Sequence, residues 1–139
     1  MGRIPRRPGP TASGHARLRT SKQISGQLAE DLAQRHLQTH GLRLLHRNWT
    51  CRSGELDLVM LDGDTVVFVE VRYRRHAAWG GALQSVDLRK QQKLIKAAQL
   101  FLLKESHWAR HPCRFDVVAI EATTGTAEQP NWIRNAFDS

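Results

Sequence analysis

The stretch GELDLVMLDGDTVVFVEVR, running from Gly54 to Arg72, decides the fold. Two apolar runs, 55–61 and 65–73, flank Asp62-Gly63, a dipeptide that favours a tight hairpin turn between β-strands. Acids interrupt both runs. Glu55 and Asp57 stand in the first and Glu70 in the second, with Arg72 two residues beyond it. A carboxylate inside a largely buried strand is costly unless it is paired, hydrogen-bonded or bound to a metal. The hairpin is therefore expected to carry chemistry as well as core.

Side chains alternate along a strand, so Glu55 shares a face with Asp57, and Glu70 with Arg72. Register decides whether the two strands present these groups on the same side. A two-residue loop at Asp62-Gly63 sets Asp57 opposite Phe68, and a four-residue loop over 62–65 sets it opposite Glu70. Both put Asp57, Glu70 and Arg72 on one side, whereas a three-residue loop turns Asp57 away. The Asp-Gly dipeptide favours the two-residue loop. Cross-strand or diagonal carboxylates within about 5–8 Å can share a hard divalent cation. Mg²⁺ takes one or two protein carboxylates plus water and phosphate oxygens, which makes Asp57, Glu70 and the Val71 carbonyl a candidate site for Mg²⁺ or Mn²⁺. Arg72 suits charge stabilisation on a phosphoryl group but not proton abstraction, because guanidinium keeps its proton in proteins. The competing reading is an ion-pair network in which Arg52, Arg72, Arg74 or Arg114 neutralises Asp57 and Glu70.

Working outward, a helix is predicted from Ser21 or Ser25 to about Thr39, stopped by Gly41. Its apolar stripe is Leu28, Ala29, Leu32, Ala33 and Leu37, with Glu30 at the stripe's edge and Asp31 pointing away. Leu42 to Asn48 reads as a first strand. After a loop from Arg74 to Gln84, a second helix starts near Ser85 or Asp87 and runs to about Lys104. Leu94, Ala97, Ala98 and Phe101 form its seam. Arg114 to Ile120 is a further buried strand, and Asn131 to Phe137 a last short one. The order αβββαβ, closed by that strand, belongs to the mixed α/β class. Arg74, Arg75, Lys93 and Lys96 are candidates for phosphate contacts, with Arg89 nearby. Trp79 reads more simply as a loop anchor than as a base-stacking platform.

Charge points the same way. The chain has 139 residues, ordinary hydrophobic and charged fractions of 40% and 24%, and a net charge of +8. A surface of that sign attracts polyanions, nucleic acid first among them. The excess is uneven, because residues 1–20 hold Arg3, Arg6, Arg7, Arg17 and Arg19 and no acid, leaving 16 basic against 13 acidic residues, a net +3, for the remainder. A Pro/Gly-rich, flexible basic tail over 1–20 and one domain over 21–139 are expected. No apolar segment follows the first arginines and no apolar run approaches a membrane span, so a cytoplasmic protein without a membrane partner is expected. Cys51 and Cys113 lack zinc-finger spacing and read as buried, reduced thiols.

The blocks GELDLVMLDGDTVVFVEVRYRR, GGALQSVDLRKQQKL, CRFDVVAI and NWIRNAF occur in an order that resembles the YraN-like family of bacterial proteins. That family is similar to the PD-(D/E)xK nuclease superfamily, which includes archaeal Holliday junction resolvases. The resemblance covers roughly residues 21–137. It implies a restriction-endonuclease-like αβββαβ core, a mixed sheet flanked by helices. It implies metal-dependent endonuclease activity on DNA more than RNA, at branched structures, or a catalytically inactive nucleic-acid-binding module of the same fold. Catalytic positions carried over are Glu30, Asp57, Glu70, Arg72 and Lys90. The dyad of the superfamily usually ends in lysine where this chain has Arg72, which puts lysine-dependent chemistry in doubt. A homodimer is a further expectation, since relatives that cut two strands work in pairs.

Overall fold

Gly41 ends the first helix as expected, and the computed structural model shows how. The structure describes residues 21–74, 86–121 and 130–138. Helix α1 spans Ser21–Thr39. Beyond it Gly41 adopts φ 93°, a left-handed conformation that costs glycine little. Gly41 N–H then donates to the Gln38 carbonyl and Leu42 N–H to the Leu37 carbonyl, satisfying two orphaned helix acceptors. Leu37 and Leu42 are both buried in one cluster, so the cap also aims the chain into the sheet.

The sheet has five strands in the order β1-β2-β3-β4-β5: Arg43–Cys51, Gly54–Asp62, Thr65–Arg74, Cys113–Glu121 and Pro130–Phe137. All neighbours pair antiparallel except β3 and β4, which are parallel. Parallel neighbours need a crossover, and helix α2, Leu88–Lys104, lies on that connection. The result is the mixed α/β architecture of a restriction-endonuclease-like core. The first strand lies one residue later and runs three further than its apolar pattern implied.

Each helix covers one face of the sheet. Ala29, Ala33 and Leu37 of α1 pack with Leu58, Met60, Val67, Val69, Val118 and Ile120. Leu94, Ala97, Ala98 and Phe101 of α2 pack with Val59, Leu61, Val66, Phe68 and Phe115. Phe101 meets Phe68, Trp49 and His46 edge-on, with centroids 5.9, 5.4 and 5.3 Å away. Two expectations need correction. Leu28 is 56% exposed, because the buried stripe of α1 is narrower than its apolar residues suggested. Cys113 is exposed and Cys51 half-buried, although both are free thiols.

A carboxylate corner between the two helices

The hairpin turn is a two-residue loop, displaced by one residue from Asp62-Gly63. Gly63 takes the first turn position with φ 62°, so Asp62 pairs with Thr65 and Leu61 with Val66. This register is the one that sets Asp57 across from Glu70. The β2–β3 pairing runs from Asp62↔Thr65 to Leu58↔Val69. One residue further, the Asp57 side chain enters the ladder itself, and Val71 N–H donates to Asp57 Oδ2 at 2.9 Å.

Strict alternation breaks at this point. Val59 and Leu61 face α2 and Leu58 and Met60 face α1, yet Leu56 lies with the α2 cluster. On β1, between the pairs Arg47↔Leu58 and Trp49↔Leu56, Asn48 has φ 54°, a conformation asparagine tolerates better than most residues. The irregularity turns Asp57 along the sheet toward β3 rather than squarely onto either face. Glu70 and Arg72 follow Phe68 by alternation on the side covered by α2, and Val71 and Tyr73 pack on the α1 side.

The electrostatics describe the surroundings of Asp57. A carboxylate paired with a guanidinium is pushed below its usual range. Asp57 is instead pushed up to about 8, first by burial, then by the Glu70 charge, with Glu30 and Glu55 adding to it against the lowering effect of the Val71 hydrogen bond. Burial and the charges of Glu30 and Glu70 also raise Glu55, while Lys90 lowers it. Four carboxylates from α1, β2 and β3 thus act on one another. Lys90 Nζ lies 3.6 Å from Glu70 Oε2, placed there by the Asp87 cap, whose carboxylate accepts from Lys90 N–H at 2.9 Å.

The predicted residues are not all equally placed. Asp57, Glu70 and Lys90 come together, and Glu30 acts on Asp57 from α1. Glu30 is also held by Arg47 at 3.4 Å, and the same guanidinium takes Asp31 at 2.7 Å and the Gln34 side-chain oxygen at 3.2 Å. Asp31 was expected to point away, and its pairing with Arg47 explains what holds it. Arg72 is half-buried at the far end of β3. Lys93 is exposed on α2. Arg74 is the last residue of β3, and its side chain, like Arg75 and Trp79, lies outside the described residues. Arg114 serves neither Asp57 nor Glu70 as an ion-pair partner. It sits 2.9 Å from Asp62 and 3.0 Å from the fully buried Asp116.

Asp116 was missed, although its signal equals that of Asp57: an acid inside an apolar strand. Here the charge is satisfied internally, by Arg114 Nε, by Trp132 Nε1 at 2.8 Å and by Asn135 N–H at 2.9 Å. Glu55 was recognised as a neighbour of Asp57 but not assigned to the site. It belongs to the cluster electrostatically.

The donors suit a hard cation. Asp57 and Glu70 offer carboxylate oxygens, and the Val71 carbonyl points to the same side as its N–H, toward β2. Among the described residues, no three His, Cys, Asp or Glu side chains form a ready-made metal cage. A cation that keeps most of its waters needs no such cage.

A restriction-endonuclease-like core with clustered acids where β2 and β3 part defines the class. The sequence model of the uncharacterised protein family UPF0102 matches residues 29–120, and the chain belongs to that family. It is 74% identical over 120 residues to the UPF0102 protein of Stutzerimonas stutzeri, covering 86% of this chain and 99% of that one. It is 69% identical over 122 residues to the UPF0102 protein of Pseudomonas fluorescens, covering 88% and 99%. A UPF0102 protein of Pseudomonas aeruginosa is 60% identical over 122 residues, covering 87% and 98%. No helix among the described residues is long and apolar enough to cross a membrane.

Proposed function

We propose that this chain is a cytoplasmic nucleic-acid-binding protein whose carboxylate corner hydrolyses DNA phosphodiesters with Mg²⁺ or Mn²⁺, branched DNA being the preferred substrate. One observation carries the reading. Asp57 is half-buried beside three other acids and driven up to about 8 by partial burial and their charge, a placement that costs the fold stability and that a divalent cation would relieve. Asp57 and Glu70 would hold the ion, with the Val71 carbonyl. Glu30 would orient ligands from α1. An ion so held would polarise a phosphoryl oxygen and favour deprotonation of water. Arg72 and Lys90 would offset charge on the phosphate, and Arg72 would not act as base. A homodimer is part of the proposal, tested by sedimentation with and without DNA.

The test is cleavage of branched and linear DNA with Mn²⁺ by the wild type, Asp57→Ala and Glu70→Ala. Loss of cleavage in both variants supports the assignment, and equal activity in all three overturns it. A second reading is an inactive binding module of the same fold. The Lys90–Glu70 pair and the arginine at position 72 favour it. Salt-sensitive binding without metal-dependent turnover would establish that alternative.

A further inference from the structure

A groove of about 630 Å³ runs between α2 and the β1–β2 turn. Its walls carry Arg52 from the turn and Arg89, Lys93 and Lys96 from α2, together with neutral polar side chains and Ile95 and, among the described residues, no acid. Helical spacing makes this a stripe. Residues 89, 93 and 96 fall on one exposed face of α2, while Leu94, Ala97, Ala98 and Phe101 face the core. Two of the groove's cations lie close along the chain to residues of the corner. Arg89 precedes Lys90, which meets Glu70, and Arg52 lies three residues before Glu55.

We infer that this groove tracks the phosphate backbone of one duplex arm and delivers it to the carboxylate corner, without reading base sequence. The inference rests on the nucleic-acid reading above. Four cations with no acid among the described lining residues form an anion site. Arginine, lysine, glutamine and serine are side chains that contact phosphate and sugar. Binders of single strands stack bases on aromatic rings, and among the described residues no aromatic side chain lines this groove. From Arg89 to Lys96 the helix advances about 10 Å, which matches about three phosphate-to-phosphate steps of 3.4 Å along the duplex axis. A smaller hollow of about 270 Å³ continues past Arg52 and Lys96 toward Leu100 and Leu103. All four cations are exposed, so neutralising them leaves the core untouched.

The experiment is fluorescence anisotropy of the full chain with a labelled DNA duplex, the matching single strand and polyglutamate, in EDTA across a salt series. The proteins are wild type, Arg52→Gln, Lys93→Gln, Lys96→Gln and the triple variant, each checked by thermal melting. The expected wild-type result is duplex binding tighter than binding to single strand or polyglutamate, alike for two unrelated sequences. Each single variant should flatten the logarithmic salt dependence by about one, and the triple variant by about three. Groove variants that bind with the wild-type slope would overturn this inference while leaving the nucleic-acid reading intact. Wild type that binds no DNA at low salt would overturn both. Preference for single strand or polyglutamate would overturn the duplex assignment.

Discussion

Replacing Asp57 by asparagine should stabilise the metal-free protein, and the gain should depend on pH. The amide keeps an oxygen to accept from Val71 N–H and removes the charge that burial and Glu70 oppose. Asp57 ordinarily titrates near 3.8 and is raised to about 8 in the fold. A raised acid favours the protonated native state. Its contribution is complete below about 4 and is lost as pH climbs to about 8. At about 1.4 kcal/mol for each tenfold change in proton affinity, the interval bounds the penalty at about 6 kcal/mol above pH 8. Partial exposure and relaxation where β2 and β3 part reduce it, so a gain of about 2–3 kcal/mol is expected for Asp57→Asn at pH 9. At pH 4 the two proteins should agree within about 0.5 kcal/mol. Urea unfolding in EDTA at both pH values measures the difference. A variant no more stable than wild type at pH 9 would show that Asp57 is charged and compensated, and the reasoning would be wrong.

Asp116→Ala should cost about 3–5 kcal/mol in urea unfolding, because it removes the acceptor of Arg114 Nε, Trp132 Nε1 and the Asn135 N–H inside the protein. Phe101→Ala should cost about 3–5 kcal/mol in the same assay, since the ring fills the space among Phe68, Trp49 and His46. Gly41→Ala should cost about 1 kcal/mol through its φ of 93°, although a Cβ there meets nothing within 4 Å. That last comparison isolates backbone conformation from packing.

The fold was legible wherever local chemistry and burial agree. Helix α1 ends where its glycine permits, α2 begins at its aspartate cap, and the buried positions of α2 are those of the predicted seam. The site was legible in its residue types but not in its geometry. Asp-Gly announced a tight turn, yet Gly63 occupies the first turn position, so the register came out as the one a longer loop would have required. Alternation placed Glu70 and Arg72 on one face but misdescribed Asp57, because an irregularity opposite Asn48 breaks the period at that residue. Asp57 and Asp116 look alike in sequence. Only tertiary neighbours distinguish them: Asp116 meets three donors, while Asp57 meets one N–H and three acids. Arg47 gave no sequence signal, since its partners lie on a helix more than ten residues earlier.

Calorimetric titration of Mn²⁺ into wild type and Asp57→Asn, at pH 7 and without nucleic acid, tests the carboxylate corner most directly. The account predicts saturable binding to the wild type with proton release from Asp57, and none to the variant. Equal heats from both proteins, or none from the wild type, would contradict a divalent ion held by Asp57 and Glu70.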